Sequence, residues 1–111
     1  MAEMIMYTQL SREIGLPFQD VDIALARVPC RWEMNRRLYD KGEALAALAA
    51  WFAEKAEENR VRYERRGSPA VTARVKGYEA KLARVRAYER KWREADEQEG
   101  DPRAAGTGAS G

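Results

Sequence analysis

The 111-residue chain contains no histidine. Its absence removes the commonest general base and any Ser-His or Cys-His activation of a nucleophile. A single cysteine, Cys30, excludes an internal disulfide, and without histidine a Cys/His zinc site cannot be assembled. No metal and no cofactor is expected. Long apolar runs are also missing: the longest, Ala44 to Ala53, has ten residues, six of them alanine, against the roughly 20 needed to span a bilayer. The opening MAEMIMYTQL carries Glu3 and no basic stretch, so no secretory signal is read there and a cytoplasmic location is the expectation. Glycines are scattered or in the tail, with no phosphate-cradling loop ahead of a helix. Paired acids such as Glu57 and Glu58 fall in a charged helical stretch and read as solvated face. The chain reads as a non-enzyme.

What is present is charge and helix formers. Charged residues make up 34% of the chain, hydrophobic residues 45%, and the mean hydropathy is -0.68, which describes a soluble chain rich in residues that favour helix. Ten aromatic residues argue against disorder throughout. The length allows one small domain followed by a helical extension.

Thr8 can cap a short helix, Gln9 to Ile14, stopped by Gly15. After the Leu16-Pro17 turn, a second helix is predicted from Phe18 to Arg27, with Phe18, Val21 and Leu25 on one face and Pro29 as its stop. Two short helices about a glycine-containing turn form a helix-turn-helix pattern. In CRWEMNRRLY, residues 30 to 39, Cys30, Trp32 and Met34 alternate with Arg31 and Glu33, and Asn35-Arg36 offers a turn, predicting a short β-hairpin. Asp40 with Glu43 three residues later marks the start of a helix reaching about Arg66. Its apolar faces carry Leu45, Leu48, Phe52, Ala56 and Tyr63, and then Ala44, Ala47 and Trp51. RGSP, residues 66 to 69, is a break, with Gly67 as the stop, Ser68 as the next cap and Pro69 as the first helical residue. A last helix, Pro69 to about Gln98, places Val71, Val75, Tyr78, Leu82, Val85 and Trp92 on a near-heptad stripe. That stripe needs a partner: residues 50 to 66 folded back, or the same helix in a second copy. Residues 100 to 111, rich in Gly, Ala and Ser, read as a disordered tail.

Helix, turn, helix, hairpin, helix is the order of a mainly α winged helix-turn-helix. The predicted division is 1–58 for that domain, 59–99 for a helical extension and dimerisation region, and 100–111 for the tail. A wing meets DNA backbone or minor groove, and Arg36 and Arg37 beside its tip suit phosphate. Arg31 and Asn35 are supporting candidates. The run NRRLYD followed by WFAEKAE resembles the wing exit and following helix of lambda-type phage small terminase subunits, and QLSREIGL is similar to the first helix and turn of excisionase-like and MerR-like winged helices. The resemblance covers about residues 7 to 58. It implies that residues 18 to 27 are a recognition helix for double-stranded DNA, with Asn35, Arg36 and Arg37 in the wing. It also implies a phage or mobile-element setting, host-cell cytoplasm included, in packaging-site recognition, excision or transcriptional control.

On a helical projection Gln19, Asp20, Ile23 and Arg27 face outward, with Asp22 beside the buried face. Residues 1 to 40 hold five Arg or Lys and six Asp or Glu, net -1, while residues 74 to 93 hold eight basic residues and two acidic ones, net +6. The acids Asp20 and Asp22, with Ile23, motivate the alternative of a protein-interaction adaptor that keeps the winged-helix shape without binding DNA. A homodimer through the stripe from Val71 to Trp92 is the expected assembly, with a phage or host protein as a further partner. Trp32, Trp51 and Trp92 are expected to pack in the core, Cys30 to be a small buried hydrophobe, and Met1, Met4 and Met6 to lie on the core.

Overall fold

Asp40 fixes the sharpest boundary in the chain. Its carboxylate accepts the Glu43 amide N–H at 2.9 Å, satisfying one of the free donors at the start of a helix, α3, that runs Lys41–Arg66. Gly67 ends it in the left-handed conformation (φ 63°), its N–H returning to the Tyr63 carbonyl. The computed structural model describes residues 3–67 and 69–100; Met1, the expected cap Ser68 and the tail from 101 lie outside the described residues. The order is β1 (Met4–Met6), α1 (Tyr7–Ile14), α2 (Phe18–Ala24), β2 (Cys30–Glu33), β3 (Arg36–Asp40), α3, and α4 (Pro69–Gly100). The fold is mainly helical, with one antiparallel sheet in the order β1-β3-β2.

β1 has no counterpart in the sequence reading. Ile5 stands opposite Tyr39 and both are buried, while the Lys41 N–H donates to the Glu3 carbonyl at 2.7 Å. Three residues thus hold the returning hairpin strand to the core. The methionine expectation is corrected by the same pleat: Ile5 points inward, so its neighbour Met4 is exposed.

α1 begins at Tyr7 with Met6 as its N-cap and no side-chain cap, so Thr8 lies inside the helix. Gly15 (φ 85°) and Leu16 both donate to the Ser11 carbonyl at 2.9 Å, and the buried Ser11 hydroxyl donates to the Leu16 carbonyl. α2 ends at Ala24, short of Arg27. Single turn bonds, Ala26 to Ile23 and Val28 to Leu25, replace the last helical turn, because Val28 precedes Pro29 and is steered out of the helical region. Val21 and Leu25 are fully buried, but Phe18, expected beside them, is 51% exposed at the helix start.

α4 folds back antiparallel on α3. Trp92 meets Gly42 near one end, and Arg60 reaches Glu79 at 3.5 Å toward the other. Leu10, Val21, Leu25, Leu45, Leu48, Phe52 and Val85 share one core, each fully buried side chain contributing about 1.5–3 kcal/mol. From Lys81 to Trp92, α4 is laid against α1, α2 and the start of α3. Past Asn59 the end of α3 is open, with Val61 and Tyr63 exposed. Glu58, spaced to meet Arg62, pairs with Lys55 instead, at 3.3 Å. No helix among the described residues is long and apolar enough to cross a membrane.

Candidate nucleic-acid interface

The pleat of the hairpin decides what its two adjacent arginines can do. Glu33 pairs with Arg36 and Trp32 with Arg37, so the two guanidinium groups leave opposite faces of the sheet. The turn consists of Met34 (φ 50°) and Asn35 (φ 63°), a two-residue connection of the type whose twist matches antiparallel strands. It lies one position earlier than the expected Asn35-Arg36, and Arg36 opens the return strand. Asn35 tolerates the left-handed region, whereas Met34 pays about 1 kcal/mol or more for it.

Arg37 is directed inward. Its Nη2 lies 3.0 Å from Asp22 Oδ1 and its guanidinium carbon 4.8 Å from the centre of the Tyr7 ring. The bond to Asp22 is the main cause of its raised pKa. The expectation that Arg36 and Arg37 both face a ligand is corrected for Arg37, which ties the hairpin to α2 and α1. Arg36 is exposed and makes no ion pair with a described residue, and the same holds for Arg31 on β2 and Arg27 in the turn after α2. Asn35, Arg36 and Trp32 line a cleft of about 260 Å³ against Tyr7 and Thr8 at the start of α1.

On α2, Gln19 is exposed and Ile23 is 57% exposed, as the projection predicts. Asp20 is not free: Lys81 of α4 donates to it at 2.8 Å. Both acids of this helix are thus matched by a cation from another element. A groove of about 530 Å³, lined by Ile23, Arg27, Val28, Trp51 and Lys55, separates the end of α2 from α3.

α4 contributes more than Lys81. The Arg84 guanidinium donates to the Gly15 carbonyl at 3.0 Å, in the turn between α1 and α2, and the Tyr88 hydroxyl donates to Glu13. That bond, opposed by burial and aided by Gln9 and Lys41, holds the Glu13 carboxyl below its ordinary range. Tyr88 in turn is pushed up, by burial first and by Glu13 second. Lys41 is buried 2.7 Å from Glu3, with its ammonium 5.0 Å and 5.5 Å from the Tyr88 and Trp92 rings. Burial alone would lower its pKa, but the bonds to Glu3 and Tyr88 outweigh that and raise it. Lys81 and Arg84 belong to the basic run of residues 74 to 93, and Tyr88 carries no signal of its own; what the three meet is not legible, because those partners are more than 60 residues away.

Trp51 and Trp92 pack against the core, but Trp32 is 67% exposed and Cys30 is exposed, because β2 stands clear of it at all four of its positions. Of the residues expected to form a dimer seam, Val75 and Val85 are buried within the chain, Tyr78, Leu82 and Trp92 pack against its core, and Val71 is half-buried. A dimer through this stripe would have to lift α4 off α3. Among the described residues no cluster of acids and Cys30 has the arrangement of a metal site. Comparison of the chain with protein-family models, with curated proteins and with solved structures gives no match.

Proposed function

We propose that the protein binds duplex DNA as a small winged helix-turn-helix, with α2 laid in the major groove and the β2–β3 hairpin as the wing along the backbone. The observation that carries this reading is the division of charge about α2 and the hairpin. Asp20 and Asp22, which would repel phosphate, are each neutralised by a cation from elsewhere, while Arg27, Arg31 and Arg36 remain exposed. Lys81 and Arg84, supplied by α4, turn the net -1 of residues 1 to 40 into +1. Gln19 and Ile23 face the groove floor, with Asn35 at the wing tip. Arg37 acts as a positioning residue that sets the angle between wing and α2. The processes that suit such a module are packaging-site recognition, excision and transcriptional control in a phage or mobile element, and no dimer through α4 is needed for it.

The test is anisotropy of a labelled mixed-sequence duplex at increasing salt. Arg36→Ala is expected to reduce the slope of log affinity against log salt by about 0.9, one phosphate contact. A slope equal to that of the unaltered protein would remove the wing from this account. A second reading has an observation of its own: Phe18 and Ile23 leave α2 about half exposed, as a protein-binding helix would. No binding to any duplex at low salt would favour an adaptor engaging a partner through these two side chains.

A further inference from the structure

The hairpin tip has a feature that phosphate contact does not use. Met34 occupies a left-handed position that favours Gly, Asn or Asp, and its side chain is 90% exposed. Backbone strain is thus combined with an apolar side chain that the core does not hold. Trp32, two residues away, is also exposed, and Asn35 and Arg36 follow directly.

Resting on the DNA-binding proposal, we infer that Met34 is an apolar wedge that enters a base step from the minor groove, so that the wing bends the duplex as it binds. Four properties of the tip fit this occupant. A methionine is flexible and polarisable enough to slide between partly unstacked bases, as side chains of this class do in proteins that kink DNA by roughly 20–90°. Asn35 beside it carries an amide that donates to the acceptors on the minor-groove floor, where A·T pairs expose only acceptors. Near the tip, Arg31 and Arg36 stand against one carboxylate, Glu33, leaving one excess cation to approach the negative groove walls. Trp32 flanks the wedge and would cover the opened step from the side of α1.

An unstacked step is also untwisted, so the wedge is read by DNA topology. The full chain is added to closed circular plasmid, which is then relaxed with a type I topoisomerase, while binding to a labelled mixed-sequence duplex is measured in parallel. The unaltered protein is expected to lower the linking number in proportion to the amount bound. Met34→Asn keeps a residue that tolerates the turn but removes the apolar side chain. It is expected to bind more weakly and to reduce the linking change per bound molecule by about fivefold or more, while its salt slope stays at the unaltered value because no phosphate contact is lost. If the unaltered protein binds duplex without changing linking number, or Met34→Asn changes it equally per bound molecule, the wedge is overturned and DNA binding stands. If the unaltered protein binds no duplex, the DNA-binding proposal falls and the wedge with it.

Discussion

Trp92 and Trp32 each sit beside a cation, and the two ends of the molecule treat the pair in opposite ways. Trp92 lies partly buried over Gly42, its ring facing the Lys41 ammonium, which is itself enclosed and ion-paired with Glu3. Trp32 stands across the ladder from Arg37 but stays in water, because Arg37 turns away to Asp22 and Tyr7. The difference follows from the reach of α4. Where Lys81, Arg84, Tyr88 and Trp92 project from that helix, their charges and rings are matched within the chain. The hairpin tip lies beyond it, and Trp32, Met34 and Arg36 remain exposed.

The largest effect that could break this comparison lies at the α3–α4 seam. Phe52 is fully buried, with its ring centre 5.1 Å from that of Trp51 and 6.4 Å from that of Tyr78 of α4. Phe52→Ala should lower stability by about 3–5 kcal/mol, read from urea unfolding. A loss under about 1 kcal/mol would mean that α3 and α4 do not share a core, and the contrast with the hairpin would vanish.

An intermediate effect concerns the latch between α4 and α1. The Glu13 carboxyl is held below its ordinary value of 4.5, chiefly by the Tyr88 hydroxyl. A group with a lowered folded pKa contributes stability that is present above the unfolded value and is lost as pH falls through the folded one. Tyr88→Phe should therefore cost about 0.5–1 kcal/mol at neutral pH and flatten the fall in stability below about pH 4.5. An acid limb as steep as that of the unaltered protein would show that the latch is not closed in solution.

How much of this was legible in the sequence depends on how local the signal was. The start of α3 at Asp40 and its end at Gly67 were readable because each is set within a few residues by a side chain or a permissive backbone. The hairpin was readable from its alternation, but its turn was misplaced by one position, since Asn35 was read as the first turn residue when it is the second. β1 was missed: Met-Ile-Met has no signature apart from the strand it pairs with, 34 residues later at Tyr39. Residue type alone also misplaced Trp32 and Cys30, because hydrophobicity does not reveal that, among the described residues, no helix packs on β2. The candidate site was half readable. Gln19 and Ile23 could be placed from helical phase, Arg27 could not because it lies in the turn after α2, and pleat alternation could have separated Arg36 from Arg37. The pairing of Asp20 with Lys81 could not be seen, since it required knowing that α4 returns to α2.

The smallest expected effect gives the sharpest form of the comparison. Trp32→Ala removes the largest side chain of the hairpin, yet with two-thirds of that residue in water the change in unfolding free energy should stay within about 0.5 kcal/mol. The same truncation at Trp92 opens the seam over Gly42 and uncovers one side of Lys41, so it belongs with the buried-aromatic losses. Measured in one urea series, the two tryptophan variants isolate environment from residue type, since both delete the same atoms. If Trp32→Ala destabilises the protein by more than about 1 kcal/mol, the hairpin carries core function and its exposed tip is a by-product of folding. If stability holds while duplex affinity falls, the exposed surface is there for what it contacts.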